Sequence, residues 1–150
     1  RTKDRNARAL TWAGFRAHAP QLWVRPNNFA EPIDATRRRL AGLGLSDKTT
    51  ICVLSEAEPD TLAQLWDTRQ LNALHQQSMR ALEQSTRGLE RLKPVRQLEE
   101  TFRLGRAAIR VLVADPLLPE DLCPGVFRQR HTEVMLVYDD RARRLWQNFI

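Results

Sequence analysis

Apolar and polar residues alternate along this chain in two different ways, and the change falls near position 58. Over 1–14 the pattern is helical: Ala7, Leu10 and Ala13 share one side, while Arg1, Arg5 and Arg8 form a basic stripe. Gly14 and the stretch to Pro20 end that helix. Leu22-Trp23-Val24-Arg25 predicts a short strand, closed by the turn signal Pro26-Asn27-Asn28. Asp34 is placed to cap a second helix through Leu43, with Ile33, Thr36/Arg37, Leu40 and Leu43 inward and Gly42-Leu43-Gly44-Leu45 at its close. Thr49–Leu54 is apolar and β-branched, which predicts a strand buried on both faces.

From 59 onward the period is helical. Asp60 caps a short helix through Trp66, and Asp67 caps a long one. The long helix sets Leu71, His75, Ser78, Leu82, Ser85, Leu89 and Leu92 at alternating spacings of 4 and 3, the seam of a packed helix. Lys93-Pro94 breaks it, and Pro94 suits the first turn of the next helix. There Leu98, Phe102, Gly105, Ile109 and Leu112 repeat the spacing, so the two predict an antiparallel hairpin, with Gly105 permitting close approach. Asp115-Pro116-Leu117-Leu118-Pro119 is an extended break, and Pro124-Gly125 a turn. Val134–Tyr138 could be misread as a strand. Val134, Tyr138, Leu145 and Phe149 share a helical face, however, and Asp139/Arg143 and Asp140/Arg144 are oriented i,i+4 pairs, so a final helix is predicted.

The expected fold class is α+β: an incomplete ferredoxin-like domain over 1–58, followed by an all-helical domain over 59–150. Helix, strand, helix, strand is most of a β-α-β-β-α-β unit without its opening strand. A sheet lacking a central strand exposes unpaired backbone, so further chain is expected upstream of Arg1.

Composition narrows the function classes. The 150 residues carry a net charge of +6, and only Lys3, Lys48 and Lys93 among the 24 basic residues are lysine. Arginine is the better bidentate partner for phosphate and carboxylate, which leans toward an anionic partner; solvated helix faces are the plainer account. No apolar run approaches the roughly 20 residues of a membrane span, and no signal-peptide pattern opens the chain, so a cytoplasmic protein with no membrane partner is expected. Cys52 reads as a small hydrophobe in an apolar run. His18, His75 and His131 have no zinc-ligand spacing, and neither a metal nor a cofactor is expected.

Two sets of motifs carry a family resemblance. Leu10-x-Trp12-x-Gly14-Phe15 with Pro20-x-Leu22-Trp23-Val24-Arg25-Pro26-Asn27-Asn28, and the helix ending Leu43-Gly44-Leu45, form the first. Arg110-Val-Leu-Val-Ala-Asp115-Pro116-Leu117-Leu118-Pro119 forms the second. The chain thus resembles the middle, Cas2-like domain and the C-terminal domain of the phenylacetic acid degradation repressor (PaaX) family of transcriptional regulators. The resemblance implies a dimeric bacterial repressor of aromatic-acid catabolism. It binds DNA through an N-terminal winged helix absent from this chain, and an aryl-acetyl-coenzyme A releases it. The family's Asp-Trp-Pro-Gly turn is here shortened to Pro124-Gly125-Val126-Phe127.

The chemistry-bearing residues point away from an enzyme. There is no G-x-S-x-G elbow and no H-E-x-x-H motif, and no acid is oriented behind His75 beside Ser78. A Cas2-like nuclease would need a metal-binding carboxylate on the missing first strand, and Asp4, on a helix among arginines, suits dipole compensation instead. A coenzyme A thioester asks for arginines on its phosphates and an apolar slot for its acyl group. Arg103, Arg106 and Arg110 are the candidates for the first, with His75 and Trp66 as candidate pocket residues. Trp146 is either a core anchor or a pocket wall, and Asp115 a turn cap. Arg37 and Arg38, within the Arg37-Arg38-Arg39 triplet, are the candidates for DNA-backbone contact. The alternative class is a helical dimerisation module that binds no ligand.

Overall fold

The structure is a computed structural model and describes residues 2–28, 31–54 and 64–149. Two compact units form: residues 1–67 together with 116–122, and residues 68–115 together with 123–150. The expected domain boundary at 58, the Asp60 cap and most of the short helix after it lie outside the described residues. At its described end, 64–66 is turn and bend. The fold class is α+β, mostly helical with one small antiparallel sheet.

In the N-terminal unit, helix α1 (Thr2–Trp12) leads into strands β1 (Arg16–Ala19) and β2 (Leu22–Val24), then helix α2 (Ile33–Gly42). The strands pair antiparallel, Arg16 opposite Val24 and Ala17 opposite Trp23, with an irregularity between Ala17 and Ala19. Both helices close with the same device. Gly14 and Gly44 have φ of +83° and +91°, and the next residue's N–H reaches back over the last turn, Phe15 to Leu10 O and Leu45 to Leu40 O, each at 2.9 Å. A left-handed glycine with this bond pattern satisfies carbonyls that the helix end would leave orphaned. The same turns deliver Leu10, Leu40 and Leu45 to a small core with Ala9, against which Phe15, Trp23 and Ile51 pack.

Three expectations fail in this unit, the first being Leu43, expected inward on α2 but exposed at its C-cap, where the turn leaves the core. Thr49–Leu54 forms no strand, and Val53 and Leu54 are 55% and 62% exposed; Cys52 is exposed with them. Among the described residues no neighbouring strand pairs with this segment, and without a ladder its β-propensity has nothing to fit. Asp34 does not cap α2: the N-cap is Pro32, and Asp34 sits inside the first turn paired to Arg37.

The second unit is three helices: α3 (Thr68–Gly88), α4 (Pro94–Ala114) and α5 (Val126–Phe149), each packed on the other two, with a 3-10 turn at Leu89–Arg91. Leu82, Ala108, Met135 and Tyr138 are its core, with Leu104, Leu112 and Val134 against them. Of the predicted seam, His75, Leu82 and Leu89 are buried, Leu71, Ser78 and Ser85 half-buried and Leu92 exposed, while Met79, outside that seam, is buried as well. On α4 the buried stripe is Leu98, Thr101, Gly105 and Ala108, while Phe102 and Ile109 are 60% and 51% exposed. The stripe is rotated because α4 packs against two helices, and its small residues face them. Gly105 looks toward α5 rather than α3: a Cβ there would meet Met135 Cε at 3.7 Å. Asp139–Arg143 and Asp140–Arg144 form on α5, each at 2.6 Å. No helix among the described residues is long and apolar enough to cross a membrane.

Candidate functional site

The helical unit carries an open groove of about 540 Å³ between α4 and α5. Its apolar surface comes from Phe102, Ile109, Met135 and Trp146, with Tyr138 and Gly105 beneath. The rotation of the α4 stripe makes it: the large side chains at 102 and 109 are left outside the bundle, beside the gap over Gly105. Trp146 is held by its indole Nε1, which donates to Thr101 Oγ1 at 3.3 Å. That hydroxyl in turn donates to the carbonyls of Gln97 and Leu98. Arg106, Arg110 and Arg143 also border the groove. Arg143 is neutralised by Asp139, while Arg106 and Arg110 have no ion pair among the described residues. An apolar trough beside two uncompensated guanidiniums suits a ligand with an apolar body and an anionic head.

A second constellation lies buried in the same unit. His75 Nε2 stands 2.7 Å from Asp115 Oδ2, and His75 Nδ1 stands 2.9 Å from His131 Nδ1. Arg128 closes the chain, donating to Asp115 Oδ1 at 3.2 Å. A carboxylate only accepts, so in the neutral pair His75 carries its proton on Nε2 and His131 donates from Nδ1. His131 Nε2 is then a buried acceptor with no partner among the described residues. Burial, and secondarily the neighbouring His75, push the His131 pKa down to about 4. Two to three turns along the helices, Ser85 Oγ and Tyr138 OH are 3.0 Å apart. The polar seam positions 75 and 85 are thus cross-links from α3 to α5, and neither lines the groove. Burial pushes the Tyr138 hydroxyl up.

Comparison with known protein families, curated proteins and solved structures finds no match.

The sequence-derived candidates scatter across these features. Arg106 and Arg110 reach the groove; Arg103 does not, and pairs with Glu100 at 2.8 Å. His75 is buried in the histidine network. Trp66 is buried in the N-terminal unit, its indole Nε1 without a hydrogen-bond partner among the described residues. Arg37 pairs with Asp34 at 2.5 Å, and Arg38 is exposed. Trp146 proves to be a wall of the groove. An acid does stand behind His75: Asp115, the C-cap residue of α4 with its N–H on Leu112 O, binds His75 and Arg128 through its side chain. The hairpin register contains the missed signal: His75 and Asp115 lie at similar distances on either side of the Lys93-Pro94 turn, so an antiparallel pair brings them level.

In the N-terminal unit Arg25 is half-buried and fully used. It donates to Ala13 O at 3.1 Å and Asn28 Oδ1 at 3.0 Å, and lies over the Phe15 ring at 5.6 Å. Burial, then the charge of Arg39, lower its pKa. Asn28 Nδ2 donates to Pro116 O and Leu117 O, which ties the Pro-rich break into this unit. These residues are structural rather than a binding site.

Proposed function

We propose that this chain is the effector-sensing and dimerising part of a cytoplasmic bacterial transcriptional repressor of phenylacetate-type aromatic-acid catabolism. DNA is read by a winged helix outside the chain, and the N-terminal unit is the remnant of a ferredoxin-like domain. The observation that carries this reading is the α4–α5 groove, where Phe102, Ile109 and Trp146 adjoin the uncompensated Arg106 and Arg110. An aryl-acetyl-coenzyme A offers the matching parts, an aromatic acyl group for the apolar wall and phosphates for the arginines. Its volume is within the range of small-molecule sites. The role is binding and not catalysis. The resemblance of its motifs to the repressor family supports the direction of the reading, and the apolar and cationic lining of the groove supports a ligand-binding role.

Calorimetric titration with phenylacetyl-coenzyme A, free coenzyme A and phenylacetate tests it. Selective binding of the thioester is expected, and loss of that binding in Arg106→Gln/Arg110→Gln. A second reading, a dimerisation module without ligand, is favoured by one observation: Phe102, Ile109 and Val113, the last 79% exposed, form an apolar line along α4. A stable dimer that takes up none of the three compounds would favour that alternative.

A further inference from the structure

The net charge of this protein is confined to one unit. Residues 1–67 with 116–122 contain ten basic and ten acidic side chains, whereas the helical unit contains fourteen basic and eight acidic. In the helical unit, seven of the eight acids each stand against an arginine. Glu83 alone has no such pair among the described residues. Seven basic side chains are left over. Two border the groove; the other five, Arg69, Arg80, Arg87, Arg91 and Lys93, lie on α3 and the turn that follows it, all exposed.

Their placement on α3 is not scattered. At 100° per residue, Arg69, Arg80 and Arg87 fall within about 20° of one another, on a line about 27 Å long. Gln76 falls in the same sector, Gln77 and Gln84 lie about 40–80° to one side and Glu83 about 40–60° to the other, and Arg80 holds Gln76 Oε1 at 3.5 Å. The apolar residues beside the arginine line are Ala73 and Ala81, at the edge of a shallow depression; Leu74 beyond that edge and Leu92 after the helix ends are exposed but off the line. A protein interface asks for an apolar core with aromatic or aliphatic anchors, and a membrane surface asks for an apolar face to insert. This ridge has neither. It also has no aromatic side chain on which the bases of a single strand could stack. A straight row of guanidiniums interleaved with amide donors matches the phosphates of a duplex, which arginine binds bidentately and without reading sequence.

We propose that the outer face of α3, from Arg69 to Arg87, is a docking surface for the phosphate backbone of double-stranded DNA. It uses no groove residue and stands whether or not the groove binds a thioester. In a repressor it would add sequence-independent affinity beside the DNA-reading head, and it moves the backbone contact from Arg37 and Arg38 to the helical unit. Arg37 is already neutralised by Asp34, and its unit carries no net charge.

The test is fluorescence anisotropy of a labelled random-sequence duplex of about 30 base pairs with the whole chain, over salt from roughly 50 to 200 mM. Binding is expected to weaken steeply with salt, the logarithmic slope being roughly −0.9 per phosphate contacted. Arg69→Gln/Arg80→Gln/Arg87→Gln should weaken binding about tenfold or more at low salt and flatten the slope by roughly 3. Arg96→Gln/Arg130→Gln, which removes two ion-paired arginines, should leave the slope nearly unchanged; circular dichroism checks that both variants keep the helical content of the parent. No duplex binding at low salt overturns the proposal. So does an unchanged slope in the triple variant, or capture of polyglutamate or anionic vesicles in preference to the duplex.

Discussion

The N-terminal unit closes on four buried aliphatic side chains, Ala9, Leu10, Leu40 and Leu45, held by two glycine-ended helices and a hairpin of seven strand residues. The helical unit buries a comparable apolar cluster and adds polar cross-links inside it: Arg128–Asp115–His75–His131 and Ser85–Tyr138. The two therefore resist change differently. An aliphatic core loses stability in proportion to the area and cavity that a substitution leaves. A buried polar chain fails at any member, because the partner left behind is desolvated and unsatisfied. The helical unit is the one that holds the strongly depressed His131, and also the one that carries the net charge and the groove.

The sharpest way to break this contrast is at Asp115. Asp115→Ala strands the His75 Nε2–H and leaves Arg128 without its anion, so urea unfolding should show a loss of about 3–5 kcal/mol. A loss below about 1 kcal/mol would mean that the buried chain contributes no more than a surface pair.

Next in size is acid. His131 has a folded pKa of about 4, below the ordinary histidine value of 6.5. Between these values the unfolded chain binds the extra proton and the folded one does not, so stability falls as pH drops from 6.5 to 4 and then levels. At 1.36 kcal/mol per pKa unit the loss is about 3 kcal/mol. Urea midpoints of the parent and of His131→Gln, taken across that window, isolate it: the variant should lack this part of the fall.

Two glycines sharpen the comparison further, with opposite signs. Gly44→Ala places a side chain at φ +91°, against the stem of Arg5 at 3.2 Å, and should cost about 1–2 kcal/mol in the N-terminal unit. Gly105→Ala adds a methyl at an ordinary contact distance inside a helix and should raise stability by about 0.5–1 kcal/mol. Thermal unfolding of both variants reads the signs directly. The smallest effect belongs to the surface: Asp140→Ala removes an exposed i,i+4 pair with Arg144 and should cost at most about 0.5 kcal/mol.

The same difference between the units governs what was legible beforehand. Helices of 21 and 24 residues announce themselves by repeated 4-and-3 spacing, and α3, α4 and α5 stand where that spacing puts them. Which face of α4 is buried is not legible, because a third helix, not the hairpin partner alone, decides it; the 4-and-3 spacing by itself turns Phe102 and Ile109 inward. In the N-terminal unit, β1 reads Arg-Ala-His-Ala, with no β-branched or large apolar residue, and only its pairing with β2 makes it a strand. Thr49–Leu54 shows the reverse: strong propensity without a neighbouring strand to pair with among the described residues. Helical spacing puts Arg103, Arg106 and Arg110 on neighbouring turns, and only the last two border the groove. Asp115 was missed because pairing His75 with a residue 40 positions away requires the hairpin register rather than a local motif.

The central claim is that ligand response resides in the α4–α5 groove of the helical unit. The most direct measurement is NMR titration of the labelled chain with phenylacetyl-coenzyme A, following the indole N–H signals and the backbone of α4. The account predicts that Trp146 Nε1–H and the amides of Thr101, Gly105 and Arg106 shift saturably, while the indoles of Trp12 and Trp23 stay in place. Saturable shifts at Trp12, Trp23 or Trp66 with a silent Trp146 would contradict it.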